Sequence, residues 1–399
     1  MAPFALTAIS LAGLFTAAES FCSAFVGVYL YSSNHDIVPV LKHYLALYGS
    51  VPITFVLAGW YAQSRDKMHP YRLGLLLNIV YYAMLLYLRD DAPKYALELG
   101  AWLGLTWGVF YAGSNTLHFD VSSNGRRAYY LGLVTSVNGV FQLLAPLVSG
   151  AAIWLSPEKF MGYKIVFGLA IAVYCTCFLV SLRLPKEKTG APFKMKHVMF
   201  PPAIKRDWRL AMTTGVGQLG IDVVVMILMP LLMFMETKNE MSVGGFQSFQ
   251  AMAGVLVAWL VGKTMNLKLR GRFLIVGAGL TTIAAIILYS SATVWTLIAF
   301  GFLRAIGEPM FAIPQAALRW DIIFKSTEAP SERVAYLCAF EVCLGVGRVL
   351  AMGPIVLLAS MVKPEHAYVV LAGSILLLSL ARWACLALLY KTQEMKTIH

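Results

Sequence analysis

Six ionisable side chains sit where an apolar sequence should hold none. Glu19 lies within LAGLFTAAESFCSAFVGVYL, Asp222 within IDVVVMILMPLL, Arg304 and Glu308 within FLRAIGEPMF, and Glu341 and Arg348 within FEVCLGVGRVL. A charge at membrane depth costs at least ~2.5 to 3.5 kcal/mol on insertion scales, so each must face water or an opposite charge. On a helix Arg304 and Glu308 are i, i+4 and Glu341 and Arg348 are i, i+7, so each couple shares a face and can pair. Glu19 and Asp222 have no such partner on their own helix. The chemistry open to such groups is binding and proton exchange: a desolvated carboxyl favours its neutral form and an approaching arginine favours the ionised one. Bond-making chemistry has no support. His118 and Asp120 are two apart and point different ways on a helix. His35, His43, His69, His197, His366 and His399 are scattered through loops and span ends, with no metal-ligand spacing. All six cysteines fall inside apolar runs and read as small buried hydrophobes. The expectation is a protein that is no enzyme and takes no metal or cofactor.

The elements that must position these groups are apolar runs of about 20 residues, the length of a helix that crosses a bilayer. With 399 residues, 59% hydrophobic and 13% charged, the chain has too little polar surface to enclose a soluble core. It reads as an all-α membrane protein of twelve transmembrane helices, near 4–32, 37–62, 71–89, 95–119, 128–155, 161–183, 209–235, 243–263, 273–291, 293–318, 333–362 and 366–390. Residues 1–184 form an N-terminal six-helix bundle, 185–208 a basic cytoplasmic linker, and 209–399 a C-terminal six-helix bundle with a short tail. Of the 32 Lys and Arg, 22 fall on the side of the linker and the tail, seven on the other, and Arg304, Arg348 and Arg382 remain within spans. By the positive-inside rule that side and both termini are cytoplasmic. The net charge of +12 is therefore topogenic, and no nucleic-acid partner is expected. No cleavable signal peptide is visible, since the first run lacks a basic flank and contains Glu19.

The two halves repeat. GWYAQSRDK from Gly59 matches GKTMNLKLR from Gly262, 203 positions on, with an amide at the fourth place after the glycine (Gln63, Asn266) and cations at the sixth and eighth. The same offset carries Glu19 onto Asp222. Tyr111-Ala112 with Asn115 in span 4 matches Arg304-Ala305 with Glu308 in span 10, and Arg126-Arg127-Ala128-Tyr129 matches Arg333-Val334-Ala335-Tyr336.

On these residues the chain resembles the major facilitator superfamily. Gly59, Arg65 and Lys67 look like that family's Gly-x-x-x-Asp-Arg-x-Gly-Arg-Lys motif, with Gln63 in place of the acid and Asp66 out of register. Ala145-Pro146-Leu147-Val148-Ser149-Gly150 resembles its antiporter-associated Gly-Pro-x-x-Gly-Gly, although small residues there also serve plain helix packing. The resemblance implies two pseudo-symmetric bundles and a central cavity lined by spans 1, 4, 7 and 10. It implies a cytoplasmic gate at Gly59, Arg65 and Lys67. Proton-coupling candidates are Glu19, Asp222, Glu308 and Glu341. Substrate-binding candidates are Tyr111, Asn115, Asn138, Gln142, Gln218, Arg304 and Arg348, with Phe15, Trp107 and Gln315 nearby. The function expected is secondary active transport of a small organic or amphiphilic molecule by alternating access, coupled to protons and leaning to efflux. Proton-coupled uptake of a sugar or organic anion is the alternative within that class. An integral-membrane lipid enzyme or a non-transporting receptor is the alternative outside it. A monomer in the cell inner membrane, with a small-molecule substrate, protons and the lipid bilayer as partners, completes the expectation.

Overall fold

The computed structural model describes residues 4–33, 35–66, 68–121, 127–184, 193–200, 205–218, 220–291, 293–326, 333–363 and 366–391. Among them all regular structure is helical: α1 Ala5–Ser32, α2 Ile37–Ser64, α3 Met68–Leu88, α4 Ala96–Val121, α5 Arg127–Leu155, α6 Lys159–Ser181, α7 Met195–Met199, α8 Arg206–Gly217, α9 Ile221–Thr237, α10 Glu240–Thr264, α11 Arg270–Ser290, α12 Val294–Ser326, α13 Arg333–Met361 and α14 Ala367–Leu389. Eleven stretches of the described residues are long and apolar enough to cross a bilayer, and one of them, Met68–His118, contains both α3 and α4. All twelve expected spans are thus present.

Two spans differ from their expected form. Span 7 is two helices, α8 and α9, separated by a turn in which Gly220 has φ +56°. That left-handed backbone costs any residue with a Cβ about 1–2 kcal/mol, and only glycine adopts it freely. Span 10 continues as α12 to Ser326, so Arg319 and Asp321 belong to the helix rather than to a loop.

The repeat is visible in helix starts. Asp36 caps α2 by accepting from the Val38 amide at 2.9 Å, and Asn239 caps α10 by accepting from the Met241 amide at 2.8 Å. His35 (φ 55°) and Lys238 (φ 51°), the residues just before these caps, are both left-handed. Each pair is separated by the 203 positions of the sequence repeat. An N-cap carboxylate or amide satisfies an otherwise orphaned N–H of the first turn, which is why the two helices begin at equivalent places.

The described chain divides into two compact units: residues 1–193 with 237–248, and residues 194–236 with 249–399. In unit 1, α4 presents Gly100, Gly104 and Gly108 to α2. A Cβ on Gly108 would meet the Val51 carbonyl oxygen at 2.7 Å, and at Gly100 and Gly104 it would run into the His43 and Leu47 carbonyls. Ser50 and Thr54 of α2 donate across this seam to the carbonyls of Ala101 and Gly104, each at 3.2 Å. His43 is a fully buried member of α2, not a span-end residue. Its Nδ1 lies 3.2 Å from the Ala96 carbonyl oxygen, which can only accept, so Nδ1 carries the proton and Nε2 accepts from Tyr81 Oη at 3.2 Å. Small residues also pack at the span 5 motif, where a Cβ on Gly150 would lie 2.6 Å from the Glu240 carbonyl oxygen.

The residues after α2 depart from a simple loop. Gly59 is buried, Arg65 is exposed at the C-terminal end of α2, and Lys67 lies outside the described residues. Asp66, the acid out of register, is buried and accepts from the Met68 amide at 2.9 Å. Arg72 donates to the carbonyls of Ser181 (2.9 Å) and Leu184 (2.8 Å), satisfying the orphan acceptors at the end of α6. Of the linker, residues 185–192 and 201–204 lie outside the described set. Its remainder is anchored in unit 2 by Trp208, fully buried, which donates to the Val198 carbonyl at 2.9 Å and meets the Tyr336 ring edge-on. Cys175 corrects the reading of the cysteines: it is exposed, whereas the other five are buried.

Candidate functional site

In unit 1 the candidate residues gather around one phenyl ring. Phe15 of α1 stacks on Phe110 of α4 with centroids 3.7 Å apart and planes at 9°, and takes Tyr111 and Tyr174 edge-on. One turn beyond Phe15, Glu19 accepts a hydrogen bond from Tyr174 Oη of α6 at 2.9 Å. Trp107 stands beside the same carboxylate, its buried indole N–H without a direct acceptor. Glu19 has no cationic partner among the described residues. On α4, Tyr111 and Asn115 are exposed one turn apart; on α5, Asn138 is half-buried and Gln142 exposed. This is an aromatic wall with one carboxyl group in it. Tyr174 was not a sequence candidate, and its only trace there is its type, a tyrosine within an apolar run.

In unit 2 the helix break sets the geometry. The turn at Gly220 ends α8 and starts α9, so Asp222 falls in the first turn of α9, where free N–H groups and the helix dipole favour a negative charge. Its Oδ1 lies 2.6 Å from Arg382 Nη2 and 3.5 Å from Arg304 Nη2. Arg382 Nη1 also reaches Glu308 Oε2 at 2.9 Å, while Arg304 stands 3.8 Å from that oxygen. The expected Arg304–Glu308 couple is present on its shared face at 3.8 Å, but the shorter contacts come from Arg382 on α14, which takes both acids with the two ends of one guanidinium group, geometry that arginine alone among the cations provides. Arg382 is 4% exposed and Asp222 50%, so the arginine is the fixed centre and Asp222 the group open to solvent. Two acids and two arginines leave this quartet electrically neutral.

The Glu341–Arg348 couple on α13 forms as its spacing suggests, with Arg348 Nη1 2.5 Å from Glu341 Oε1. The Arg348 stem also fills the space beside Gly220, where a Cβ would lie 2.6 Å from Arg348 Cγ. Gln218, half-buried, ends α8. Among the sequence candidates, then, Asp222, Arg304 and Glu308 come together, Glu341 and Arg348 form a second couple, and Glu19 and Tyr111 share the surroundings of Phe15. Arg382 was recognised as an intramembrane charge but not as the member that ties the quartet. Its distance in sequence from both acids gave no periodic signal.

No family model matches the chain. Over 357 residues it is 22% identical to the uncharacterized protein YqgE of Bacillus subtilis strain 168, covering 90% of this chain and 83% of that one. An uncharacterized protein from the sodM 3′ region of Geobacillus stearothermophilus is 29% identical over 174 residues, 43% of this chain and 80% of that one. Among solved structures, a POT family transporter in complex with 5-aminolevulinic acid superposes with a TM-score of 0.75 at 10% identity, covering 98% of this chain and 97% of that one. A point mutant of the nucleoside transporter NupG gives 0.72 at 13% identity over 96% and 99%, and the peptide transporter POT in complex with sulfate 0.71 at 15% over 96% and 94%. The chain is an integral membrane protein with the all-helical fold of these transporters.

Proposed function

We propose that this chain is a secondary active transporter of the major facilitator superfamily, moving a small organic or amphiphilic molecule by alternating access, coupled to protons and working in the direction of export. It works as a monomer in the inner membrane with both termini cytoplasmic, without a cofactor. The fold supports the transport class, as does the binding of small organic molecules by neighbours such as the 5-aminolevulinic acid complex. The small-residue motif of α5 supports export.

The observation that carries the coupling is the contrast in counter-charges. Asp222, Glu308 and Glu341 each have an arginine. Glu19, in the middle of α1, has only neutral neighbours among the described residues, the Tyr174 hydroxyl and the Trp107 indole. An ionised carboxylate without a cation is costly in an apolar bundle, and a proton is the species that neutralises it. Glu19 thus exchanges the proton, while the quartet around Asp222 holds the broken span in register. Tyr111, Asn115, Asn138, Gln142 and Gln218 supply the neutral polar contacts.

Reconstitution in proteoliposomes tests the reading, with counterflow of labelled sugars, drugs and organic anions measured with and without an imposed pH gradient. Glu19→Gln keeps the shape and fixes the neutral form. Gradient-driven accumulation should vanish and exchange without a gradient should survive. Accumulation at the wild-type rate in this variant would remove Glu19 from the coupling and leave Asp222 as the next candidate.

A further inference from the structure

Among the described residues, the five buried or half-buried arginines of unit 2 outnumber the carboxylates they pair with. Asp222 and Glu308 are taken by Arg382 at 2.6 and 2.9 Å with Arg304 alongside, Glu341 by Arg348 at 2.5 Å, and Asp321 by Arg270 at 2.9 Å. The fifth arginine, Arg319 of α12, has no carboxylate within ion-pair distance among the described residues. Its guanidinium carbon instead lies 4.5 Å over the ring of Phe340 on α13. Phe340 is buried and backed by α8, where a Cβ on Gly215 would come within 3.0 Å of Phe340 Cε2. Three helices therefore fix the perch. On α13, which carries Phe340, the adjoining acid Glu341 is already engaged by Arg348.

A cation placed only to set topology would turn its head to water or to lipid headgroups. Arg319 turns inward, onto an aromatic face. The ring covers one face of the guanidinium plane and leaves the N–H groups at its edge, the donors that grip a carboxylate, sulfate or phosphate in bidentate fashion. We propose that Arg319, seated on Phe340, is the docking point for an anionic group carried by the transported molecule, so that the substrate is an organic anion. Binding one negative charge there neutralises the one positive charge left over. This deepens the transport reading and rests on it for the word substrate, though the binding itself does not.

The test is thermal unfolding of the full-length protein in nanodiscs of zwitterionic lipid, titrated with benzoate or phenyl phosphate at constant chloride-balanced ionic strength, with benzamide as the neutral isostere. Both anions should raise the unfolding temperature saturably and benzamide should not. Arg319→Gln should weaken their apparent affinity about tenfold or more, the loss of a charge-assisted contact. Lys325→Gln, the same charge loss on an exposed position of α12, should leave both titrations at wild type. Arg319→Lys keeps the charge without the fork and guards against a misfolded glutamine variant: it should weaken both anions by a smaller, measurable factor. The proposal is overturned if neither anion shifts the wild type, if benzamide matches benzoate, or if either Arg319 variant titrates like wild type. It is also overturned if anionic phosphatidylglycerol in the disc displaces the probes, since the site would then belong to a lipid headgroup. Anion binding with these properties in a protein that moves nothing in proteoliposomes would retain the site and discard the transport reading.

Discussion

Glu19 and Asp222 occupy equivalent places in the repeat, yet the two regions solve the problem of a charged group at membrane depth in opposite ways. Around Glu19 the helix is continuous, and Ala17, two residues before it, is buried within α1. The position equivalent to Ala17 is Gly220, where span 7 breaks. One acid leans on a tyrosine hydroxyl inside an aromatic wall; the other sits at a fresh helix N-terminus within a neutral quartet of charges. The contrast teaches that a repeat can preserve an acid while assigning it a different counter-group; on the function proposed above, that counter-group separates the acid that trades a proton from the one that anchors the helix break.

The largest effect that would break this comparison is at its fixed centre. Arg382→Met leaves Asp222 and Glu308 with Arg304 alone, and loss of one partner from a buried ion-pair network costs about 3–5 kcal/mol. The triple variant Arg382→Met, Asp222→Asn, Glu308→Gln should recover most of that loss in denaturation of the detergent-solubilised protein; no recovery would mean that Arg382 acts through packing alone. Next in size is the contrast between the amides. Asp222→Asn strands a positive charge and should cost about 1–3 kcal/mol, whereas Glu19→Gln strands none and should leave the melting temperature nearly unchanged. Equal losses in the two variants would erase the distinction between the two acids.

Gly220→Ala should cost about 1–2 kcal/mol from the left-handed backbone, and more where the new Cβ meets Arg348. The reciprocal Ala17→Gly should be milder, near the roughly 0.5–1 kcal/mol typical of glycine in a helix interior. If the two substitutions cost the same, the break is not set by residue 220. The smallest effect sharpens the unit 1 side: Tyr174→Phe removes one hydrogen bond to Glu19, about 1 kcal/mol, and a loss several-fold larger would mean that the hydroxyl holds more than this carboxylate.

Much of this was legible in the residues alone. Twelve apolar runs at helix length became helices because a lipid-exposed backbone has no other way to satisfy its polar groups. The Glu341–Arg348 couple was readable because helical spacing places both on one face. The quartet was not, since the Arg382 partners lie on α9 and α12, far away in sequence, and periodicity reports only on neighbours along one helix. The caps at Asp36 and Asn239 were readable and pass unnoticed because an Asx residue before an apolar run is common; their shared offset is what makes them informative. The break in span 7 had one sign, a glycine where its counterpart is alanine. Hydropathy does not register that exchange, for it is a matter of backbone conformation rather than of polarity.

The glycine seam between α2 and α4 carries a mechanical consequence. With Gly100, Gly104 and Gly108 each pressed against a carbonyl of the facing helix, sliding one helix along the other takes the glycines off the carbonyls they face and brings the larger side chains that share their face three residues on, Leu103, Trp107 and Tyr111, toward that backbone. The seam therefore resists shear in both directions, as a keyed joint does, and the hydroxyl donors of Ser50 and Thr54 resist its opening. Any displacement of either helix must carry the other with it. The amides along this pair should be the slowest in unit 1 to exchange with deuterium, and a bulky substitution at Gly104 should loosen both helices together.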